Sequence, residues 1–350
     1  MQSKQQTTTI AIDAMGGDHG PSVTVPAAID FLKKRSKQIH NVILVGKEDE
    51  IKPLIEQHNG QGFLNKGQLS IHSATQVVEM DESPALALKR KKDSSMRVSI
   101  NLVKEGVAQA AVSAGNTGAL MATARFVLKT IDGIDRPAII STMPCIDTSK
   151  TMHMLDLGAN VDSSPEMLVQ FAVMGSVLTE YADNKKNPSI GLLNVGAEEI
   201  KGSEKVKKAS ALLSETDLNY VGYVEGDEIF NSRVDVIVCD GFEGNVALKA
   251  SEGTAKMIMT VLKEEFKRNI FTKFAGLIST PIFNAIQNRL DPRRLNGATL
   301  IGLNGIVVKS HGGTDQLGFL TAIQEASKQA DMDVIDHISQ EVSKVFNKNK

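Results

Sequence analysis

The chain has 350 residues, of which 41% are hydrophobic and 23% charged, and this balance excludes a disordered or collagen-like protein. A chain of this length buries roughly 75% of its unfolded surface, so disulfides and metals are not needed for stability. Thirty-nine Lys and Arg oppose 41 Asp and Glu, giving a net charge of -2. We therefore expect no nucleic-acid partner, and an anionic ligand must be bound by a local patch.

Two features bear on the compartment of the protein. The two cysteines, Cys145 and Cys239, are too few for a disulfide framework and suggest a reducing cytosol. The first ten residues lack the apolar stretch of a signal peptide, and no apolar run approaches the ~18 residues of a membrane span. We expect a soluble protein, or one that lies on a membrane rather than in it.

Short apolar runs recur along the chain, and most are followed by a helical pattern. They cover residues 8–13, 42–45, 109–113, 153–157, 190–195 and 234–240. Near-continuous apolar strands separated by helices indicate a parallel sheet that is covered on both faces. The sequence therefore predicts the α/β class, with residues 1–350 forming a single unit.

Residues 257–290 depart from this alternation and contain no strand signal. Apolar residues recur there at steps of four, at Ile258, Leu262, Phe266, Ile270 and Phe274, and the same step is repeated at Ile278, Ile282, Ile286 and Leu290. This spacing predicts two amphipathic helices in a hairpin. Two interpretations of the apolar stripe remain open: a dimer interface or core, and a surface that also touches a membrane or a partner.

The clearest candidate for a ligand site follows the run at 109–113. Ser113 ends this run, and Gly115, Asn116, Thr117 and Gly118 come before a helical pattern. Glycines allow the backbone to approach a ligand closely, and the first turn of a helix offers unpaired N–H groups. This segment is either a phosphate cradle or an ordinary tight turn with a helix cap.

Similar turns follow the other apolar runs. Asp13 with Gly16 and Gly17 either lines a cleft or leads to a helix capped by Asp18. Lys201 lies soon after a predicted strand, beside a glycine. A cation at this position can bind a phosphate or stabilise an oxyanion. The structural alternative is a solvated surface lysine, as most single lysines are.

The remaining strand-end candidates have equally plain structural alternatives. Asp240 and Asn245 belong to a turn with two glycines, which by default is structural. His311 lies at a strand end, where it either donates to an anion or is hydrogen-bonded within the turn. Polar residues at four such turns indicate a shared ligand site, because ligands bind beyond the carboxyl ends of parallel strands.

Other patterns limit the chemistry. No metal-ligand spacing is present, and no Gly-x-Gly-x-x-Gly follows the first strand, so we expect neither a metal nor a nicotinamide cofactor. Cys239 lies inside an apolar run and reads as a buried hydrophobe rather than a nucleophile. Lys89, Arg90, Lys91, Lys92 and Arg97 form a basic run, which is either a solvated face or a site for an acidic protein partner.

Together these segments resemble the bacterial phosphate acyltransferase family. The resemblance lies in six blocks that occur in order along the chain: DAMGGD (13–18), SAGNTGALM (113–121), LDLGAN (155–160), QFAVMG (170–175), LLNVG (192–196) and DGFEGNVALK (240–249).

The resemblance implies a specific activity and setting. Members of this family transfer a fatty acyl group from acyl carrier protein to inorganic phosphate, which yields acyl phosphate for phospholipid synthesis. They are homodimers with a Rossmann-like, doubly wound α/β fold similar to isocitrate and isopropylmalate dehydrogenases. They are cytoplasmic and associate peripherally with the inner face of the cell membrane, where an acyl-phosphate:glycerol-3-phosphate acyltransferase consumes the product.

The resemblance and the strand-end turns together assign roles to residues. We expect phosphate to attack the thioester directly, without cofactor, metal or covalent intermediate. We expect Lys201 and Asn245 to stabilise the tetrahedral oxyanion. The expected substrate-binding residues are Asp13, Gly16, Gly17, Ser113, Gly115, Asn116, Thr117, Gly118, Asn160, Asp240 and His311. The helical hairpin at 257–290 is expected to dimerise, and Phe271, Phe274 and Ile278 at its tip are expected to contact lipid.

Three alternatives remain open at this stage. A phosphotransacetylase-like enzyme using acyl-coenzyme A would need the same cradle. A decarboxylating dehydrogenase would share the fold. A non-catalytic membrane scaffold that recruits acyl carrier protein would account for the basic run and the helical hairpin, but not for the polar strand ends.

Overall fold

A computed structural model describes residues 7–34, 40–231, 233–289 and 291–347. Its central feature is an eleven-stranded sheet with the strand order β3-β2-β1-β4-β11-β10-β5-β6-β9-β7-β8. The strands are β1 (Thr8–Asp13), β2 (His40–Gly46), β3 (Leu69–Ser73), β4 (Ala110–Ser113), β5 (Ala138–Met143), β6 (Met152–Leu155), β7 (Ile190–Leu193), β8 (Tyr220–Val224), β9 (Val236–Val238), β10 (Ala298–Ile301) and β11 (Ile306–Lys309).

The sheet consists of two parallel halves that run in opposite directions. Strands β3, β2, β1, β4 and β11 are mutually parallel, as are β6, β9, β7 and β8. Between them, β10 pairs antiparallel with β11 and β5, and β5 pairs antiparallel with β6. The expected α/β class is confirmed, but the prediction of a parallel sheet was wrong at the centre. The four residues that connect β10 to β11 are too few for a crossover, so these strands must be antiparallel.

Helices cover the sheet. They are α1 (Pro21–Lys34), α2 (Glu48–Gln57), α3 (Gln61–Asn65), α4 (Pro84–Arg90), α5 (Ser95–Lys104), α6 (Thr117–Leu128), α7 (Pro165–Ala182), α8 (Glu204–Ser214), α9 (Gly241–Lys267), α10 (Ile270–Ile278), α11 (Thr280–Arg289), α12 (Gln316–Asp331) and α13 (Val334–Asn347), with 3₁₀ turns at Gly226–Glu228 and Pro292–Leu295.

The burial pattern of β1 shows that this part of the sheet is covered on both faces. Ile10 and Ile12 belong to a buried cluster with Phe31 of α1, while Ala11 between them belongs to a different cluster with Leu102 of α5. Because successive side chains of a strand point to opposite faces, each face here has its own core. The expected doubly wound, Rossmann-like arrangement is therefore confirmed.

Helices α9, α10 and α11 form the arm that the sequence predicted at 257–290. The arm has three helices rather than two, and α9 begins sixteen residues earlier, at Gly241, directly after β9. Phe266 of α9 stacks edge-to-face on Phe283 of α11, with ring centroids 4.6 Å apart. Leu290 lies outside the described residues. Among the described helices, none has the combination of length and apolar character that crossing a bilayer requires.

Several large apolar side chains of the arm project into solvent. Ile270, Phe271, Phe274, Leu277, Ile278 and Ile282 are each more than 60% exposed. An exposed apolar surface of this extent is typical of a contact with a partner or a membrane.

A partly buried ion-pair network links β6 to helix α12, which packs on the other half of the sheet. Asp183 follows α7, and its carboxylate lies 2.7 Å from His153 Nε2 of β6 and 2.6 Å from Lys328 Nζ of α12. Burial raises the pKa of Asp183, but the hydrogen bonds and charges of His153 and Lys328 outweigh it and lower the pKa to about 2.

We predict that Asp183→Asn lowers the free energy of unfolding by about 2 kcal/mol at pH 7. Because the folded pKa lies below the ordinary value of 3.8, the stabilisation is present above pH 4 and is lost as the pH falls towards 2. Urea denaturation from pH 7 to pH 3 should therefore show the wild-type advantage shrinking with acidity. Asp132→Asn, at an exposed carboxylate, is the matched control. An advantage that does not change with pH would contradict this account.

Candidate functional site

The strand directions divide the predicted site residues into two groups. The carboxyl ends of β1, β4 and β11 lie at one edge of the sheet, and those of β6, β9 and β7 lie at the other. The first group, the cradle, contains Asp13, Gly16, Gly17, Ser113, Gly115, Asn116, Thr117, Gly118 and His311. The second group contains Asn160, Lys201, Asp240 and Asn245. Within the described ranges, no hydrogen bond or ion pair joins the two groups.

Three turns pack against one another in the cradle. Gly17 has φ +89°, and a Cβ atom there would lie 2.8 Å from the Cβ of Ala114 and 2.9 Å from the carbonyl oxygen of Gly312. The backbone N–H of Asp18 donates to that same oxygen at 3.0 Å. The turns after β1, β4 and β11 are thus in direct contact, and glycine is required at position 17.

A buried hydrogen-bond chain links the first two turns. The hydroxyl of Ser113 donates to Asp13 Oδ2 at 2.6 Å, and the N–H of Gly115 donates to the Ser113 hydroxyl at 3.0 Å. Gly16 packs against the carboxylate of Asp13, since a Cβ atom on Gly16 would lie 2.5 Å from Asp13 Oδ2. Burial raises the pKa of Asp13, against the opposing effect of its hydrogen bonds with Ser113 and other neighbours. The buried side chains of Asp13 and Ser113 therefore hold the first two turns of the cradle together.

Asn116 caps a helix, as one of the two interpretations of the sequence allowed, and it also anchors a loop. Its Oδ1 caps α6 by accepting the N–H of Ala119 at 2.9 Å, and its Nδ2 donates to the carbonyls of Met80 and Glu82 at 2.7 and 3.1 Å. The amide thus anchors a neighbouring loop. The N–H groups of Thr117 and Gly118 have no acceptor in the described part of the chain, and both residues are exposed. The donors that the first turn of α6 offers to an anion are therefore backbone groups.

Lys309 is a component of the cradle that sequence reasoning missed. It is the last residue of β11 and is 9% exposed, and its ammonium donates to the carbonyl oxygens of Ala114, at 3.3 Å, and Ser310. Burial lowers the pKa of Lys309 to about 8, while Asp13 and Asp18 act in the opposite direction. The sequence did contain a signal for this residue. Lys309 ends the apolar run 306–309 and directly precedes Ser310 and His311, a position that indicates a strand end at the ligand site.

His311 takes part in the third turn. Its backbone N–H donates to Asn296 Oδ1 at 3.0 Å, and its ring Nδ1 accepts the N–H of Gly313 at 3.2 Å. Because Nδ1 is an acceptor here, the proton of the neutral ring lies on Nε2. His311 is exposed and directly precedes Gly312, whose carbonyl oxygen lies against Gly17 of the cradle.

In the second group, Asn160 and Asp240 hold loops in place. Asn160 is 5% exposed, and its Nδ2 donates to Pro137 and to Asp156, each at 2.9 Å. Asp240 caps α9 through the N–H of Phe242 at 2.9 Å and lies 3.2 Å from Lys205 Nζ. Burial raises the pKa of Asp240, but these contacts and the N–H of Ser163 lower it to about 2. Both side chains are therefore already engaged within the protein.

Lys201 and Asn245 are the members of this group that face solvent. Lys201 lies in the loop after β7, 2.9 Å from Glu198 Oε1, and this contact raises its pKa. Asn245 lies in the first turns of α9 and packs beside Gly158, and its amide has no hydrogen-bond partner among the residues described. Both polar groups are accessible to a ligand from outside the chain.

Comparison with known proteins identifies the family. Residues 8–337 match the family described as "Fatty acid synthesis protein". The chain is 56% identical to phosphate acyltransferase of Legionella pneumophila (strain Paris) over 340 residues, which are 97% of each chain. It is also 56% identical to phosphate acyltransferase of Nitrosococcus oceani over 333 residues, covering 95% and 96% of the two chains.

Solved structures show the same fold in a more distant protein. A phosphotransacetylase from Streptococcus pyogenes superimposes with a TM-score of 0.60 and 18% identity, over 93% of this chain and 94% of its own. At this identity the likeness concerns the fold alone. The family match and the extent of identity to the phosphate acyltransferases together show that the chain belongs to the fatty acid synthesis protein family of phosphate acyltransferases.

Proposed function

We propose that the protein is a phosphate acyltransferase that transfers a fatty acyl group from acyl carrier protein to inorganic phosphate. The observation that supports this most is the cradle, where unpaired N–H groups of α6 and the buried ammonium of Lys309 lie at one junction of three turns. Backbone donors and a desolvated cation form a site for a small tetrahedral anion. The names of the relatives supply the acyl-transfer chemistry.

In the proposed reaction, a phosphate oxygen attacks the carbonyl carbon of the thioester. The carbonyl becomes an oxyanion, and its collapse breaks the carbon–sulfur bond and releases the carrier thiolate, which takes a proton from solvent. Phosphate is already an anionic nucleophile, so the protein must mainly position it, and orientation can supply ~7–11 kcal/mol. Lys309 and the N–H groups of Thr117 and Gly118 would hold the phosphate, with His311 at the rim.

The second group would complete the site from another chain. Lys201 and Asn245 carry accessible polar groups but lie at the other edge of the sheet. Asn245 also stands at the base of the arm, on a helix with several large apolar side chains at least half exposed: Phe242, Val246, Met257, Ile258 and Val261. We therefore propose a homodimer in which α9 lies at the interface, so that Lys201 and Asn245 stabilise the oxyanion over the partner's cradle.

The remaining exposed apolar surface fits a position at a membrane. Phe271, Phe274 and Ile278 project from the α10 region of the arm. We propose that this tip touches the inner face of the cell membrane while the protein is otherwise cytoplasmic. The acyl phosphate would pass there to a membrane acyltransferase that acylates glycerol 3-phosphate.

The activity is tested by incubating the protein with palmitoyl-acyl carrier protein and labelled phosphate, and trapping acyl phosphate with hydroxylamine. We expect product that depends on both substrates. Palmitoyl-coenzyme A assayed in parallel separates this function from that of a phosphotransacetylase-like enzyme. Turnover with the coenzyme A donor alone would overturn the assignment of the carrier protein, and no product with either donor would overturn the function.

The shared site predicts complementation between two inactive variants. Lys309→Met removes the cation that binds phosphate and Lys201→Ala removes the one that stabilises the oxyanion. At phosphate concentrations below KM we therefore expect Lys309→Met to lose at least about tenfold in rate and Lys201→Ala about 10²–10³-fold. In mixed dimers, one site carries both defects and the other carries neither. Refolding equal amounts together should therefore restore about one quarter of wild-type activity.

If the site lies within one chain, the mixture would remain as inactive as its components. A mixture of Lys201→Ala with Asn245→Ala is the matched control, because both defects lie in the same group. Each of its mixed dimers would have one defect in each site, so no activity should return.

A further inference from the structure

A basic face runs over helices α4, α5 and α6, close to the cradle. Its residues are Lys89, Arg90, Lys92, Arg97, Arg125 and Lys129, all exposed except the half-buried Arg97. Lys91 in the same run pairs with Glu82 at 2.6 Å. Among the described residues, the six cations of the basic face have no acidic partner. Positive charge is thus left unbalanced here, in a protein whose net charge is -2.

The basic face has an apolar centre. Phe126 of α6 is 50% exposed, with the guanidinium of Arg97 5.3 Å and the ammonium of Lys129 4.8 Å from its ring centroid. Arg97 also donates to the carbonyl of Leu88 at 3.0 Å, which ties α5 to the end of α4 beside Lys89. Aromatic residues and arginines are enriched at protein–protein interfaces, so the exposed Phe126 beside Arg97 favours a protein-binding surface.

The same helices form one wall of the cradle. Asn116, which precedes α6, donates to the carbonyls of Met80 and Glu82 just before α4, and a Cβ on Gly118 would lie 2.9 Å from Pro84 of α4. Helix α6 begins at the cradle and reaches Arg125 and Phe126 about two to three turns later, a rise of roughly 12–14 Å. A protein seated on the basic face would have the cradle within reach of a flexible prosthetic arm.

We propose that the basic face docks the acidic surface of the acyl carrier protein. This inference rests on the proposed function and adds the surface through which the donor is recognised. A membrane fits less well, because Phe126 is the only large aromatic in the basic face and the exposed apolar side chains are concentrated on the arm. Unpaired surface cations raise the rate of encounter with an acidic partner and select it over neutral ones.

The test compares donors that do and do not carry the protein. For Lys89→Glu/Arg90→Glu and for Lys129→Glu, we expect the KM for palmitoyl-acyl carrier protein to rise at least about tenfold. With palmitoyl-pantetheine, which has no carrier, both kcat and KM should stay at wild-type values. The KM of the wild type for the carrier donor should rise with salt, and that of the double variant should rise less.

Lys34→Glu/Lys66→Glu, which reverses two exposed charges on other parts of the surface, is the matched control and should behave as wild type. An unchanged KM for the carrier donor in both basic-face variants would overturn the docking inference, as would an equal loss with palmitoyl-pantetheine. A wild-type protein that turns over palmitoyl-pantetheine but not the carrier donor would instead overturn the proposed function.

Discussion

The candidate site depends on a buried lysine ammonium at the junction of three strand ends. Taking Lys309 out of water is costly, and two backbone carbonyls and the nearby Asp13 and Asp18 offset only part of that cost. A bound dianion would supply the missing compensation. The cradle is thus less favourable empty than filled, which is the property expected of a site built to hold phosphate.

The geometry around Lys309 requires backbone to approach backbone. Gly17 leaves no room for a side chain against Ala114 and Gly312, and the Ser113–Asp13 hydrogen bond fixes the turn that leads into α6. The Lys309 ammonium donates to the carbonyl oxygen of Ala114 in that same turn, two residues before the N-cap Asn116 of α6. In the proposed reaction this preorganisation is the main task of the protein, since a thioester is an activated acyl donor.

The change of strand direction at the centre of the sheet determines where Lys201 and Asn245 lie relative to the cradle. Because β10 and β5 are antiparallel to their neighbours, the two parallel halves present their carboxyl ends at opposite edges. The proposed dimer reconciles this with one reaction, since it would bring the accessible Lys201 and Asn245 of one chain to the cradle of another. The arm, which begins at Gly241 and carries Asn245 near its base, would then serve both assembly and membrane contact.

The sequence allowed the ends of the strands to be predicted, but not the directions in which the strands run relative to one another. The runs ending at Asp13 and Ser113 are strands, and the turns after them do meet, because adjacent parallel strands bring their ends together. The division between the cradle and Lys201 was missed because strand direction depends on the short β10–β11 connection, which apolar periodicity does not report. Asn116 was expected to bind ligand directly, with a helix cap as the alternative, and the structure shows the cap. Its anchoring of the loop before α4 could not be predicted, because those contacts join residues 34 and 36 positions apart in the chain. Lys309 was overlooked because a lysine at a strand end is usually solvated.

The most direct test of this account is phosphate affinity as a function of pH, measured by the KM for phosphate at saturating acyl donor. In the wild type, affinity should fall as the pH rises through about 8, where Lys309 loses its proton. Lys309→Arg keeps the charge and should remove that alkaline decline, whereas Lys309→Met should bind phosphate at least about tenfold more weakly at pH 7. Wild-type phosphate affinity in Lys309→Met would contradict the central claim that the buried ammonium holds the substrate.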